Sequence, residues 1–201
     1  MIDFNCDIDL NIKYYTTSEF VIKNFKPNSI KRVLIPEDAD ILILDSESDN
    51  MEMQYNSRFV FSVDYPIDGC RAVISKANIV AYLNMLDRMK SEDYFVGMVD
   101  YLDIMRVSGG KLVHYGRYEL NESEDEIYAS LPQELTNESV GIIVTVSKKD
   151  DYLLRKISGE IDLMYPNGSM VIMRPAQESQ ITESFLEVYV FESTVEDSTC
   201  S

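Results

Sequence analysis

The sequence contains few of the residues that build disulfide frameworks or common catalytic sites. Three cysteines, Cys6, Cys70 and Cys200, are scattered over 201 residues and form no CxxC pair, so a disulfide framework is not indicated. The single histidine, His114, lies in an alternating strand pattern, which argues against a Ser-His-Asp triad and a His-rich metal site. Neither a P-loop nor a GxGxxG pattern is present. We therefore expect a binding scaffold that is not an enzyme and needs no cofactor or metal.

Long hydrophobic runs are also missing. No apolar run approaches the roughly 18 residues that a membrane-spanning helix needs. The first ten residues lack the basic and apolar regions of a signal peptide. Hydrophobic residues make up 45% of the chain and aromatic residues 10%, which argues against disorder. These features predict a soluble, cytoplasmic globular protein of one or two domains.

Basic residues are scarce, and half of them fall in three segments that read as helices. The net charge is −17. The helical segments 18–26, 75–90 and 147–157 contain four acidic and nine basic residues, so they carry +5 and the rest of the chain −22. The basic residues are Lys23, Lys26, Lys76, Arg88, Lys90, Lys148, Lys149, Arg155 and Lys156. This distribution favours a basic helical face on an acidic body, although helix propensity and the helix dipole also favour basic residues there.

Each helical segment follows a short apolar strand pattern and a serine that can cap the helix, namely Ser18, Ser75 and Ser147. Further strand patterns follow each helix, including 40–45, 93–107, 126–132 and 160–166, with turn signals between them. The order predicts three copies of one strand-helix-strands unit. The fold class expected is α+β, with antiparallel sheets outside and the helices on one inner face. Residues 1–132 would hold two units, and residues 133–201 the third unit with a polar tail.

This layout resembles the DNA sliding clamps, with the closest likeness to the clamp of T-even-type bacteriophages. The segments that carry the likeness are TSEFVIKNF at 17–25, IDGCRAVISKANIVAYLNML at 67–86, GGKLVHYGRYELNESEDEIYASLP at 109–132 and VTVSKKDDYLLRKI at 144–157. It is a likeness of pattern and element order, without a diagnostic motif.

The resemblance implies a processivity factor whose basic helices encircle double-stranded DNA without reading its sequence. DNA polymerase and a clamp loader would be its partners. Partner peptides would bind beside the connector 130–137, where Leu131 and Leu135 are the candidate contacts, although both fit ordinary core positions as well. The phage-type clamp has four units per chain. Three units per chain would build a homo-oligomeric ring of four chains.

Other function classes stay open. An acidic DNA mimic or a virion structural component would also be strongly acidic or rich in β-structure. Neither accounts for basic residues concentrated in the helices. An enzyme whose site is built from Asp and Glu alone is a further alternative, and loss of activity on chelation would reveal it.

Overall fold

A computed structural model describes residues 12–45, 59–67, 69–90, 101–119, 124–133, 135, 140–147, 151–173 and 185–193. The described residues form nine strands: β1 Lys13–Thr16, β2 Lys31–Arg32, β3 Ile41–Asp45, β4 Phe59–Val63, β5 Ala72–Ile74, β6 Gly110–Glu119, β7 Val140–Val146, β8 Ser169–Met173 and β9 Phe185–Glu192. They also form five α-helices: α1 Glu19–Asn24, α2 Lys76–Lys90, α3 Tyr101–Val107, α4 Glu124–Ser130 and α5 Asp151–Met164. A short 3-10 helix, Pro36–Asp38, follows β2.

All nine strands belong to one mixed sheet in the order β2-β1-β3-β4-β5-β6-β9-β7-β8. Neighbouring strands from β2 to β6 are parallel, as are β7 and β8, whereas β9 runs antiparallel to both β6 and β7. The expectation of antiparallel sheets is therefore wrong for most of the molecule. Antiparallel pairing was predicted because turn signals separate the apolar segments, but those signals do not determine strand direction.

Helices pack on both faces of the sheet. On one face, α1, α2 and α3 share a core with side chains such as Phe61, Ile143 and Tyr189. On the other face, α4 and α5 share a core with Ile142 and Val144, which alternate with Ile143 along β7. Strands covered on both faces read as continuous apolar runs, as in the ILIL stretch of β3 and the IIVTV stretch of β7. The structure is thus α/β, and the prediction of helices on one inner face is wrong.

The serine-led helices are the part of the secondary structure that local signals predicted well. Ser18 caps α1, because its side chain accepts a hydrogen bond from the Val21 amide. Helix α2 begins directly after Ser75, as expected. The helix predicted after Ser147 is described as Asp151–Met164, and residues 148–150 lie outside the described residues. Strands were also predicted within 93–107, 126–132 and 160–166. In the described part of these segments, residues 101–107 form α3, residues 126–130 belong to α4 and residues 160–164 belong to α5, whereas residues 93–100 lie outside the described residues.

Three repeated clamp units are not present in this topology. Strand β9 lies between β6 and β7, so strands from both sides of residue 132 belong to the same sheet. A repeat of one strand-helix-strands unit would instead give each helix the same set of neighbouring strands. The division of the chain into 1–132 and 133–201 stays a prediction.

Helix α2 connects distant parts of the sheet. Its apolar stripe, which includes Ile79, Tyr82 and Leu86, is fully buried. Near its end, the carboxylate of Asp87 accepts hydrogen bonds of 2.8 Å from the backbone amides of residues 28–30, which lead into β2. The next residue, Arg88, pairs with Glu187 on β9. The end of α2 therefore fixes the α1–β2 connection relative to the rest of the fold.

Candidate functional site at the carboxyl ends of the parallel strands

The strand order reverses direction at β1. The chain passes from β1 through α1 to β2 on one side, and β3 then lies on the other side of β1. In open α/β sheets, ligands bind beyond the carboxyl ends of the strands at such a switch point. The residues that follow β1, β3, β4 and β5 are therefore the candidates for a ligand-binding site.

The carboxyl ends of these four strands are bonded to one another. Thr17 accepts a hydrogen bond of 3.0 Å from the Asp45 amide at its hydroxyl oxygen, which joins β1 to β3. Asp64 accepts one of 2.7 Å from the Lys76 amide, which joins β4 to the first turn of α2. The ammonium nitrogen of Lys76 lies 3.9 Å from a carboxylate oxygen of Asp45 and 3.7 Å from one of Asp64. We call Thr17, Asp45, Asp64 and Lys76 the carboxyl-edge cluster.

Asp64 has an uncommon backbone conformation within this cluster. Its φ of 65° lies in the left-handed region, which non-glycine residues other than Asn and Asp seldom adopt. Its amide donates a 3.0 Å hydrogen bond to the carbonyl of Ile74 on β5, so the turn is held from both the main chain and the side chain. The turn directs the Asp64 carboxylate toward the start of α2, where a negative charge is favourable.

The chemistry of the carboxyl-edge cluster does not suit a phosphate group. Its two carboxylates exceed its one ammonium group, and both lie beside that ammonium. A phosphate cradle needs closely approached main-chain amides, which glycine-rich loops supply. The one pair of adjacent glycines, Gly109 and Gly110, lies at the start of β6, at the amino ends of the parallel strands, where the Gly110 amide donates to the Arg71 carbonyl. Within the described ranges, no cluster of His, Cys, Asp and Glu could hold a metal ion.

A second polar cluster lies inside the sheet-helix interface and has a structural role. The Glu187 side chain is 2% exposed and forms ion pairs with Arg88 and Arg117, the latter at 3.6 Å. It also accepts hydrogen bonds from Tyr115, Thr145 and Tyr189. Burial and the nearby Glu187 carboxylate raise the pKa of Tyr115 to about 12, so its hydroxyl stays a donor. The cluster joins α2 to β6, β7 and β9. The buried Glu187 carboxylate is bound by side chains of these elements, which is a structural role.

His114 takes part in a chain of hydrogen bonds on the face of the sheet that carries α4 and α5. Ser130 donates to the carbonyl of Ile127 at 2.7 Å, so its proton is used and the Tyr118 hydroxyl must donate to Ser130. The Nε2–H of His114 then donates to Tyr118 at 3.0 Å. Burial lowers the pKa of His114. In this order no base receives the serine proton, so Ser130 is not an activated nucleophile.

The residues predicted to contact DNA do not share one face. Lys23 and Lys26 are exposed on or beside α1, and Lys76 belongs to the carboxyl-edge cluster. Arg88 is half-buried against Glu187. Arg155 and Lys156 are exposed on α5, which packs on the opposite face of the sheet from α1 and α2.

The remaining predicted site residues are in other settings. Lys90 is the last residue of α2, and its side chain lies outside the described part of the chain, as do Lys148 and Lys149 altogether. Leu131 is buried in the core beneath α4 and α5, and Leu135 is half-buried against the same core. Their role in binding a partner peptide stays a prediction.

Sequence reasoning had singled out Lys76 but missed Thr17, Asp45 and Asp64. Asp45 and Asp64 come at the end of, or directly after, apolar strands. A polar residue in that position of a parallel strand is the signal that could have found them, but it has this meaning only when the strands are known to be parallel.

Comparisons with known proteins identify the fold. No family model and no curated protein matches the chain. A solved structure of an FtsZ mutant from M. jannaschii matches with a TM-score of 0.50 and 11% identity, over 80% of this chain and 67% of that one. An empty FtsZ dimer from M. jannaschii matches with a TM-score of 0.50 and 9% identity, over 77% and 64%. CetZ2 from Haloferax volcanii, in a GTPγS-bound protofilament, gives a TM-score of 0.43 at 10% identity, over 78% and 66%.

These likenesses correct the interpretation as a sliding clamp. The solved structures that match at a TM-score of 0.50 are FtsZ rather than clamps, so the roles in DNA replication, the encirclement of double-stranded DNA, the tetrameric ring, and the polymerase and clamp-loader partners were wrong. The alternatives of a DNA mimic and a virion component have no support either. Among the described helices, none is long and apolar enough to cross a membrane. The chain spans about two thirds of the length of the FtsZ structures it matches, and at this identity the likeness establishes an FtsZ-like fold.

Proposed function

We propose that this chain is an assembly subunit of FtsZ-like fold that associates with further copies of itself and does not hydrolyse a nucleotide. The observation that carries the proposal is the carboxyl-edge cluster. Its polar groups are bonded to one another, and its carboxylates are in excess at the edge where an open α/β sheet binds ligands.

Electrostatics at this edge argues against a nucleotide. A bound polyphosphate would need cations and main-chain amides directed toward it. Lys76 has Asp45 and Asp64 within 4 Å, so its charge is already compensated. The amide of Lys76 is also occupied, since it donates to Asp64. A polyphosphate would displace these contacts and face two carboxylates at once, which is unfavourable at such short range.

Exposed apolar side chains near the same edge favour an interface. Phe20 in the first turn of α1 is 37% exposed, and Tyr65 after β4 is 63% exposed. Leu34 and Ile35, which follow β2, are 82% and 55% exposed. All four follow the carboxyl ends of strands, so they lie around one edge of the sheet. Apolar and aromatic residues of this kind are typical of protein-protein interfaces, and one FtsZ structure similar to this chain is described as a dimer.

The test measures association and nucleotide chemistry separately. Sedimentation velocity over a range of protein concentrations should show oligomers that form equally well with and without GTP and Mg²⁺. A fluorescent GTP analogue should not bind, and no phosphate should be released. Saturable nucleotide binding or phosphate release would overturn the non-hydrolysing part of the proposal, and a monomer at all concentrations would overturn the assembly part.

A matched pair of leucine variants tests the interface. Leu34→Ser should weaken association by at least about tenfold, because burying a leucine contributes roughly 1.5–3 kcal/mol. Leu163→Ser is the control, since Leu163 is 76% exposed on α5, which packs on the opposite face from α1 and α2. Equal association of both variants and the unchanged chain would contradict a role for this edge in assembly.

A further inference from the structure

The part of the chain from β1 through β2 is basic within an acidic protein. Residues 12–33 contain five basic residues and one acidic residue, Glu19, whereas the whole chain carries −17. The five basic residues are Lys13, Lys23, Lys26, Lys31 and Arg32. All except Lys13 are exposed. We call this surface, formed by β1, α1 and β2, the basic edge. Its charge fits a partner that is negatively charged.

The main chain of β2 offers a place for another strand. Within the described part of the sheet, β2 has a neighbour on one side only, β1. The amides of Lys31 and Val33 donate to the carbonyls of Ile12 and Tyr14. Because alternate residues of a strand direct their amides to opposite sides, the amide and carbonyl of Arg32 face away from β1. A strand edge of this kind can pair with an extended polypeptide.

The side chains around β2 favour a particular strand. Arg32 is in register with Tyr14, whose ring contacts Phe25 beneath α1. Arg32 therefore lies on the face of the sheet that carries α1 with Lys23 and Lys26. Val33 packs toward the opposite face, with Leu42. An added strand would meet Arg32, Lys23 and Lys26 on one face, and Val33 beside Lys31 on the other. That arrangement fits a polypeptide with alternating acidic and apolar residues better than it fits a nucleic acid, which has no apolar side chains to place.

The chain itself contains such a segment. Residues 2–10, IDFNCDIDL, alternate strictly between apolar and polar residues, and three of the four polar residues are aspartates. The alternation is typical of a β-strand with one acidic and one apolar face. This segment lies outside the described residues and directly precedes the start of β1.

Geometry favours a segment from a second copy over one from the same chain. Residues 28–30 enter β2 at the edge of the sheet where β1 begins, and three hydrogen bonds to Asp87 hold them there. To reach the outer side of β2, residues 2–10 of the same chain would have to cross this connection. Connections that cross at one edge of a sheet are avoided.

We propose that the basic edge binds residues 2–10 of a second copy as an additional strand beside β2. This inference rests on the proposed self-association and names the contact that produces it. Acidic side chains of the segment pair with Arg32, with Lys23 on α1 and with Lys26 just after it, while its apolar side chains cover Val33 and the neighbouring apolar surface.

Charge reversal of both surfaces provides the test. Lys23→Glu/Arg32→Glu should weaken association in sedimentation velocity by about tenfold or more, and Asp7→Lys/Asp9→Lys should do the same. An equimolar mixture of these two variants should associate again, because each supplies the charge that the other needs. Arg155→Glu/Lys156→Glu is the matched control, since it reverses the same number of exposed charges on α5 and should leave association unchanged.

The outcomes separate this inference from the proposed function. If the unchanged chain is monomeric, both fail. If it associates, but the two reversal variants associate as strongly or their mixture does not restore association, only the docking of residues 2–10 fails. If a double-stranded DNA fragment binds the unchanged chain, and Lys23→Glu/Arg32→Glu abolishes this binding while self-association persists, the basic edge is assigned to nucleic acid and the inference is overturned.

Discussion

The hydrogen bonds of Asp87 give the sharpest test of how α2 is joined to the sheet. Asp87 is 6% exposed, and its two carboxylate oxygens accept three backbone amides of residues 28–30, each at 2.8 Å. A hydrogen bond to a charged group contributes about 1.5–3 kcal/mol, and an amide left buried without a partner is costly. Water can reach the partly buried amides of Asn28 and Ser29, so we expect Asp87→Ala to lose about 4 kcal/mol rather than the full sum.

Asp87→Asn keeps the size of the side chain but changes its hydrogen bonds, so it separates the loss of hydrogen bonds from the loss of packing. The retained oxygen can still accept from Ser29 and Ile30, while the new NH₂ group faces the Asn28 amide, so the loss should be about 2 kcal/mol. Urea unfolding followed by circular dichroism measures both variants. Asn84→Ala is the control, because Asn84 is exposed on the same helix and surface changes usually alter stability by less than about 0.5 kcal/mol. Losses below about 1 kcal/mol for Asp87→Ala, or equal losses for Ala and Asn, would refute the reasoning.

Three further predictions use the same unfolding assay. A methyl group at Gly141 would overlap the carbonyl of Val107, so Gly141→Ala should lower the free energy of unfolding by at least about 2 kcal/mol. Gly159 has open space around it in α5, so Gly159→Ala should raise the free energy of unfolding by about 0.5–1 kcal/mol. Similar effects at both sites would contradict this account. Glu187→Gln should lose about 3 kcal/mol because it leaves the charges of two arginines uncompensated, and an unchanged midpoint would contradict the buried ion pairs. Burial lowers the pKa of His114 below its ordinary value of 6.5, so its contribution to stability is present above pH 6.5 and is lost as the pH falls through the folded-state pKa. His114→Gln should therefore remove this pH dependence of stability. Identical pH profiles for the variant and the unchanged chain would argue against it.

Local patterns predicted elements well where one interpretation was strongly favoured. The continuous apolar run of β3 is a strand within a residue of the expected 40–45, and β7 is the apolar strand expected directly before Ser147. Helices α1 and α2 begin directly after Ser18 and Ser75. Prediction failed at 101–107 and 124–130, where short apolar segments fit a strand as well as a helix. There, tertiary packing decided the conformation. Helix α3 places Ile104 and Met105 in the core, and α4 does the same with Ile127.

The candidate site was less predictable than the elements. The charge count covered three segments, whereas the described helices also include the three acidic residues of α4 and the acidic end of α5. The count also did not show on which face of the sheet each helix packs. Exposed Arg155 and half-buried Arg88 therefore appeared equivalent in the sequence. The acidic residues that meet Lys76 come from strand ends separated by 19 positions, and only the parallel pairing of β3 with β4 brings them together.

The sequence by itself determined the composition of the layers. Alternating and continuous apolar patterns specify which residues must be buried, and capping serines specify where helices begin, because both effects act over a few residues. Only the tertiary structure decided that the strands are mostly parallel and that β9 lies between β6 and β7. It also decided that Glu187 is enclosed by two arginines. Strand pairing and ion-pair geometry depend on contacts between residues far apart in the chain, and local pattern carries no information about their direction or their partners.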